Sequence, residues 1–256
     1  MKIAICGKGG CGKSTITTLL AKELARMGYS VLVIDSDESN FGLHRQLGVE
    51  LPRDFTEYFG GKEKAFKQMM TSEILDTIKL SAFAKKFFSE DFKLEDIPEE
   101  YYTEKDGVKL ISSGKIHRAN EGCACAMNSI LEQFINHLTL GKDEIALLDM
   151  EAGVEHFGRG VDNYVDKILM IVDPSFESLR LTEKFQELSE SVGKSISFVF
   201  NKTEEHTLNT MLELLPQREN LLCVIPFDEG IASSGLMGQE LKQQNTAIHD
   251  LATVLL

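Results

Sequence analysis

Short apolar segments rich in β-branched residues alternate along the chain with segments whose apolar residues recur at helical spacing. Several of the short segments are apolar at nearly every position, which is typical of strands covered on both faces of a sheet. The predicted strands are residues 2–6, 30–35, 108–112, 144–149, 167–173, 196–201 and 221–225. This alternation predicts an α/β fold, with a doubly wound, mostly parallel sheet of about seven strands and helices on both faces.

Two of the longer segments give the clearest amphipathic helices. One runs from Ile16 to Met27 and ends at Gly28, because glycine commonly terminates helices, and the other covers residues 127–138. We find no internal repeat and no low-complexity linker, and we therefore predict a single domain over residues 1–256.

The region between about residues 47 and 106 departs from the alternation, and its pattern predicts a helical insertion without a strand. Its last part, residues 90–106, contains eight acidic residues and two lysines, which together carry −6 of the net charge of −13. The sequence leaves two interpretations open. The segment is either a solvated insertion at the edge of the sheet or a surface that binds a partner protein.

The overall charge and the length of the apolar segments exclude several classes of function. The chain has 27 basic and 40 acidic residues, a surface that repels phosphate backbones and anionic lipids, so neither nucleic acid nor a membrane is expected as a partner. No apolar segment approaches the roughly 18 residues of a membrane span. The apolar stretch at the start of the sequence is shorter than that of a signal peptide. A cytoplasmic location is predicted, where the five cysteines stay reduced.

The strongest functional signal is a glycine-rich segment between the first predicted strand and the first predicted helix. Its sequence, GKGGCGKS at residues 7–14, fits the phosphate-binding pattern G-x-x-x-x-G-K-[ST]. Glycines let backbone N–H groups turn towards an anion, and the helix that follows directs its positive dipole end to the same phosphates. Lys13 is predicted to contact the β- and γ-phosphates, and the Ser14 hydroxyl to bind Mg²⁺. The predicted nucleotide-binding residues of this segment are Gly7, Lys8, Gly9, Gly10, Cys11, Gly12, Lys13, Ser14 and Thr15.

The lysine that follows the first glycine, Lys8, is not needed by a standard phosphate-binding loop. The run Lys-Gly-Gly-x-Gly-Lys-Ser resembles the deviant Walker A motif of the MinD/ParA/nitrogenase-iron-protein superclass of P-loop ATPases. The resemblance implies a homodimer promoted by ATP, in which Lys8 reaches across the interface to the nucleotide of the partner. It also favours ATP over GTP.

Carboxylates follow two of the predicted strands, and the carboxyl end of a strand lies on the ligand side of such a sheet. Asp149 ends a buried strand as a Walker B aspartate does, a residue that usually holds Mg²⁺ or one of its waters. The resemblance implies that Asp37 belongs to switch I and orients or activates the attacking water, with a helix N-cap as the alternative. It also implies that Gly153 of switch II turns its peptide towards the γ-phosphate. Asp35 is expected to be structural.

Two later segments are predicted to surround the base. The resemblance makes Asn201, next to Lys202, the residue that reads the adenine. Glu204 stands where a GTPase has the aspartate of N-K-x-D, so this segment alone does not exclude guanine. In the superclass, the loop that here contains Pro226 and Asp228 packs on the base through backbone groups and an acid. A plain turn is the alternative for these two residues.

The cysteines fall into two groups. Cys6 and Cys223 lie within predicted strands and are interpreted as core residues, and Cys11 is given no role. Cys123 and Cys125 form a C-x-C pair just before the second amphipathic helix, and two thiolates are too few for a closed tetrahedral site. Near the two-fold axis of a dimer the pair would meet its own copy, giving four sulfurs around one shared ion. Four thiolates suit Zn²⁺, Ni²⁺ or Cu⁺.

A more specific resemblance covers nearly the whole chain, least well over residues 47–100. The phosphate-binding loop, the segment GCAC at residues 122–125 and the stretch DMEAGVEHFGRG at 149–160 resemble those of CooC-type nickel-insertion ATPases. Such proteins mature carbon monoxide dehydrogenase or acetyl-CoA synthase. The resemblance implies a Mg²⁺-dependent ATP hydrolase that binds Ni²⁺ (or Zn²⁺) and acts on an apo nickel–iron–sulfur enzyme.

Three other functions agree less well with the sequence. A nitrogenase-iron-protein-like reductase needs two well-separated cysteines per chain, whereas the pair here is adjacent. A MinD/ParA-like positioning ATPase needs a basic amphipathic tail or a basic DNA-binding face, and residues 243–256 contain neither Lys nor Arg. The third alternative is a nickel chaperone that uses GTP.

Overall fold

In the computed structural model, the described residues 1–61, 91–115, 124–152, 164–191 and 193–256 build one eight-stranded sheet. The strands are β1 (Lys2–Gly7), β2 (Ser30–Asp35), β3 (Thr103–Lys105), β4 (Val108–Ser112), β5 (Glu144–Asp149), β6 (Lys167–Val172), β7 (Ile196–Thr203) and β8 (Leu221–Pro226). Their order is β3-β4-β2-β5-β1-β6-β7-β8, and only the β3–β4 pair is antiparallel. The predicted α/β fold with a mostly parallel sheet is confirmed.

The helices cover both faces of the sheet. They are α1 (Lys13–Arg26), α2 (Leu43–Leu47), α3 (Ala124–His137), α4 (Phe176–Ser191), α5 (Glu205–Leu214), α6 (Glu229–Leu236) and α7 (Thr246–Leu255), with 3₁₀ turns at Phe55–Phe59, Leu94–Asp96, Glu99–Tyr101 and Arg218–Asn220. Successive strand residues point to opposite faces, so the parallel strands contribute side chains to two cores. One core contains buried residues of α1, α2 and α7, and the other contains those of α3, α4 and α5. Within the described ranges, no helix combines the length and hydropathy that crossing a membrane would need.

The β3–β4 hairpin corrects one expectation, that the region between about residues 47 and 106 holds no strand, and it adds an eighth strand to the roughly seven that were predicted. Asp106 and Gly107 join the two strands, and their φ angles are 51° and 80°. Two-residue turns with positive φ at both positions match the twist of an antiparallel pair. The hairpin therefore adds a short antiparallel strand to the edge of the parallel sheet.

The acidic segment before this hairpin has one buried and one exposed side. Phe92, Leu94, Ile97 and Tyr101 are at most 6% exposed and belong to the core beneath α3. The acidic residues between them are exposed. The described part of this segment thus fits a solvated surface anchored by apolar side chains, and its role in binding a partner stays a prediction.

Three strands end side by side at the edge where the predicted site residues lie. Asp35 of β2 and Ile5 of β1 are each in register with Asp149 of β5. Because these strands are parallel, the segments that follow them leave the sheet at the same edge. The glycine-rich loop, the Asp37 segment and the end of β5 are therefore brought together.

Candidate nucleotide-binding site

The loop between β1 and α1 has the backbone that the phosphate-binding motif requires. Gly7, Gly10 and Gly12 have φ angles of 140°, 80° and 104°, in the left-handed region that favours glycine. A Cβ at Gly7 would lie 2.5 Å from the Ile171 carbonyl oxygen, so the loop packs closely on β6, whereas a Cβ at Gly10 would meet open space. Gly12 is the N-cap of α1, whose unpaired first-turn N–H groups are available to an anion.

Lys13 and Ser14 are the first two residues of α1. Lys13 is 7% exposed, and its Nζ donates to the Lys8 carbonyl oxygen at 3.3 Å, so the ammonium lies against the loop. The Ser14 hydroxyl donates to Oδ2 of Asp149 at 2.6 Å. The fold thus joins the residue predicted to bind Mg²⁺ to the predicted Walker B aspartate, 135 positions away in the chain.

The groups around Asp149 form a set of ligands that suits Mg²⁺. Asn40 Nδ2 donates to Ser14 Oγ at 2.8 Å and to Asp149 Oδ2 at 3.4 Å, and Thr17 Oγ1 lies 3.4 Å from Asp149 Oδ1. Burial raises the pKa of Asp149 to about 6, and the hydrogen bond from Ser14 opposes this shift. A cation beside the carboxylate would favour its charged form. Hard oxygen ligands fit Mg²⁺, which takes few protein ligands and keeps several waters.

Asp37 lies just beyond the end of β2, at the same edge of the sheet. Its Oδ1 accepts hydrogen bonds from the backbone N–H of Ser39 at 2.9 Å and from the Ser39 hydroxyl at 2.6 Å. The next helix, α2, has Gly42 as its N-cap. The alternative interpretation of Asp37 as a helix N-cap is therefore wrong, and its role towards the attacking water stays a prediction.

The end of β7 holds the phosphate-binding loop from the other side. Asn201 Nδ2 donates to the Cys11 carbonyl oxygen at 2.8 Å, and Lys202 Nζ donates to the Gly10 carbonyl oxygen at 2.7 Å. Asn201 is 6% exposed, and Lys202 has a φ of 57°, uncommon for a residue with a side chain. Both predicted base-side residues thus contact the loop backbone, and the reading of adenine by Asn201 stays a prediction.

The loop after β8 has a local structural role. Asp228 is the N-cap of α6, and its Oδ1 accepts from the Ile231 backbone N–H at 2.9 Å. Pro226 ends β8 and is exposed, as is Phe227 beside it. This cap agrees with the plain-turn alternative, while packing of the segment on a base stays a prediction.

Comparison with known proteins identifies the family of this domain. A profile of the CobQ/CobB/MinD/ParA nucleotide binding domain matches residues 2–241. The chain belongs to this family. A MinD/ParA-type P-loop domain accounts for the sheet and for the glycine-rich loop at the start of α1.

Two relatives match this MinD/ParA-type domain along its whole length. An uncharacterised ATP-binding protein of Methanocaldococcus jannaschii is 45% identical over 255 residues, which covers 100% of this chain and 99% of the relative. The carbon monoxide dehydrogenase accessory protein CooC of Rhodospirillum rubrum is 30% identical over 268 residues, covering 100% and 95%. The solved structure of the septum site-determining protein MinD with Mg-ADP, from Pyrococcus horikoshii, has a TM-score of 0.65 at 21% identity and covers 99% and 95%. That structural likeness shows the fold.

Several predicted site residues of this MinD/ParA-type domain cannot be placed. Gly153 and Cys123 lie outside the described residues, and Cys125 is the second residue of α3, with its side chain outside the described part. Among described side chains, no group of three or more His, Cys, Asp or Glu is positioned to hold a metal ion. Cys6, Cys11 and Cys223 are buried, and Cys6 and Cys223 belong to the two hydrophobic cores, which confirms their interpretation as core residues.

Two residues of the site were not predicted from the sequence. Asn40 contacts both Ser14 and Asp149, and the only signal for it was its position three residues after Asp37. Lys115 is fully buried and donates to the Asp35 carboxylate. Its signal was a lysine at the carboxyl end of a predicted strand, but sequence alone does not show that this strand, β4, lies next to β2.

Proposed function

We propose that the protein is a dimerising, Mg²⁺-dependent ATPase that delivers nickel to an apo nickel–iron–sulfur enzyme, either carbon monoxide dehydrogenase or acetyl-CoA synthase. The observation that carries this proposal is the likeness to a carbon monoxide dehydrogenase accessory protein over the whole chain. The nucleotide site and the C-x-C pair supply the two chemical activities that such a role requires.

Hydrolysis of ATP is assigned to the residues gathered at the carboxyl edge of the sheet. The loop N–H groups and Lys13 would hold the β- and γ-phosphates, and Ser14 with Asp149 would hold Mg²⁺, which neutralises charge on the phosphate oxygens when bound. Asp37 would accept a hydrogen bond from a water in line with the γ-phosphorus. The water oxygen then bonds to that phosphorus as the bond to the ADP oxygen breaks, the protons of the water end on the released phosphate, and ADP and phosphate leave.

Nickel binding is assigned to Cys123 and Cys125. Cys125 is the second residue of the 14-residue helix α3. Cys123 immediately precedes this helix. Two chains would together supply four thiolates to one ion, which suits Ni²⁺ in a square-planar geometry or Zn²⁺ in a tetrahedral one.

The packing of α7 leaves this helix without a free apolar face for a membrane. Ile248, Leu251 and Leu255 of α7 are at most 2% exposed and pack in the same core as α1. The apolar face of α7 is therefore used inside the domain. An amphipathic tail that binds a membrane would need that face free and a basic opposite face.

Titration with Ni²⁺ tests the proposed function. We expect a thiolate-to-nickel charge-transfer band that saturates at about one ion per two chains, because each chain supplies only two of four sulfurs. Cys123→Ser and Cys125→Ser should each abolish the band while leaving ATP binding intact. The nickel affinity should fall as pH falls, since thiolates must lose their protons to bind.

Cys223→Ser is the matched control for this titration. Cys223 is buried and donates to the Ala247 carbonyl oxygen, a contact that a serine hydroxyl can keep, so this variant should retain the full band. Saturation at one ion per chain, or an undiminished band in both Cys123→Ser and Cys125→Ser, contradicts the shared site.

The structure shows how Lys8 is held within its own chain. Its ammonium lies 3.1 Å from Glu177 Oε2 and 3.4 Å from the Ser175 hydroxyl. Glu177 is 75% exposed, and such a surface ion pair is weak and screened by salt. Lys8 can therefore exchange this contact, at little cost in free energy, for a contact with a phosphate of the nucleotide bound to the partner chain.

Lys8→Ala is expected to bind ATP as the parent does but to lose ATP-dependent dimerisation and most of the hydrolysis, because no cation then reaches the partner's nucleotide. Light scattering with and without ATP measures the dimer. Glu177→Ala is the control, since it removes the same ion pair but keeps the ammonium, and it should still dimerise. An unchanged ATP-dependent dimer in Lys8→Ala rules out the role across the interface.

A further inference from the structure

Lys115 has an environment that is unusual for a lysine. It is fully buried, three residues beyond the end of β4, although lysine is almost never fully buried unless its charge is paired. Its Nζ donates to Asp35 Oδ2 at 2.6 Å and to the Asp37 carbonyl oxygen at 2.6 Å. The Phe41 ring lies 5.9 Å from the same nitrogen. Asp35 is the last residue of β2, and Asp37 and Phe41 belong to the segment between β2 and α2.

These contacts hold both main-chain polar groups of Asp37, its N–H and its carbonyl oxygen. Asp35 Oδ1 accepts from the Asp37 backbone N–H at 3.2 Å, while Lys115 Nζ holds the Asp37 carbonyl oxygen. Asp35 and Lys115 form an ion pair with each other, so the two hydrogen bonds to the main chain of Asp37 come from one connected pair of side chains. Burial raises the pKa of Asp35, and the ammonium of Lys115 opposes this shift.

The main chain of Lys115 is itself anchored. Its backbone N–H donates to both carboxylate oxygens of Asp54 at 3.2 Å, and the N–H of Ser113 donates to the Asp35 carbonyl oxygen at 2.9 Å. The ammonium therefore cannot follow the Asp37 segment if that segment moves away. Displacement of Asp37 would leave the buried ammonium paired with Asp35 but without its second acceptor, the Asp37 carbonyl oxygen, and losing a hydrogen bond to a buried charged group is unfavourable. Lys115 thus opposes displacement of Asp37.

We propose that Lys115, together with Asp35, is a positioning residue for ATP hydrolysis that holds Asp37 in the place from which its carboxylate orients the attacking water. This inference rests on the proposed function. It assigns Lys115 no contact with nucleotide, so its loss should lower kcat and leave ATP affinity nearly unchanged. Misplacing a group by about 1 Å can cost a factor of about 100 in rate.

The test uses the full chain carrying Lys115→Met together with Asp35→Asn. Replacing both partners avoids an unpaired buried charge, so this double variant should fold. We expect kcat to fall by about 10- to 100-fold, with the dissociation constant of a non-hydrolysable ATP analogue within about threefold of the parent value. The single variant Lys115→Met, measured alongside, should show the same separation of kcat from affinity.

Lys22→Met together with Glu240→Gln is the matched control. Lys22 Nζ also donates to one carboxylate, Glu240 Oε1 at 2.9 Å, and to one backbone carbonyl, that of Leu241 at 2.8 Å, but neither lies at the site. Thermal unfolding of both double variants measures the change in stability. The control is expected to keep the parental kcat even where its melting temperature falls as much as that of the test variant.

Asp37→Asn in the same assay separates the two levels of the proposal. If Asp37→Asn is inactive and the Lys115→Met/Asp35→Asn variant turns over within about twofold of the parent, the role of Lys115 is wrong and the proposed function stands. If Asp37→Asn itself hydrolyses ATP normally, the catalytic role of Asp37 is wrong and the role of Lys115 falls with it, since Lys115 then has no catalytic carboxylate to position.

Discussion

Asp37→Asn is expected to bind ATP with nearly the parental affinity and to lose ATP turnover by about 100- to 1000-fold, the range associated with a positioned acid–base group. Asparagine keeps the size of the side chain, and it can still accept from Ser39, as Asp37 does. It loses the negative charge that orients and polarises a water. Phosphate release in single-turnover conditions, alongside equilibrium binding of ATP, measures the two effects separately.

Asp250→Asn serves as the control for this charge change, because Asp250 is an exposed residue of α7 at a distance from the site. It should hydrolyse ATP at the parental rate. Parental turnover in Asp37→Asn would show that another group orients the water. Loss of ATP binding in that variant would show that Asp37 contributes to binding ATP and not specifically to the hydrolysis step.

Lys13→Ala is expected to weaken ATP binding by at least about 100-fold, or about 3 kcal/mol, since charge-assisted hydrogen bonds contribute about 1.5–3 kcal/mol each. The Lys13 ammonium lies against the Lys8 carbonyl, where a phosphate would meet it at low solvent exposure. Isothermal titration with an ATP analogue measures the loss. Hydrolysis at low ATP concentration should fall by at least the same factor.

The comparison variant for this change is Lys184→Ala, which removes an exposed lysine paired with Glu187 on α4. It should leave the affinity for ATP unchanged. An affinity for Lys13→Ala within threefold of the parent value would remove Lys13 from the phosphate site and with it the main support for a phosphate-binding function of the loop.

The parallel strands were predictable because each is nearly continuous in apolar residues and lies between turn-forming segments. All seven predicted strands are present, with ends within two residues of those predicted. β3 was missed because Thr103–Lys105 has only three residues and carries two charges. The Asp106–Gly107 pair, a frequent hairpin turn, was the signal that could have revealed it.

The site was predictable only where a local motif carries the chemistry. The loop at residues 7–14 and the strand-end Asp149 are defined by short patterns, and the fold brings Ser14 to Asp149 as those patterns imply. Asn40 and Lys115 have no such pattern. Lys115 acts through the adjacency of β4 and β2, and the order of strands in a sheet depends on packing between distant segments.

The buried thiol of Cys11 determines whether the phosphate-binding loop would compete for the metal ion that the proposed function requires. Cys11 lies inside the phosphate-binding loop with no exposed surface, and burial raises the pKa of its thiol to about 11. Thiolates, and not thiols, capture nickel and zinc ions, so at neutral pH Cys11 remains protonated and a poor competitor for them. If the proposed function holds, the cysteine of the phosphate-binding loop would therefore not compete with Cys123 and Cys125 for the metal ion.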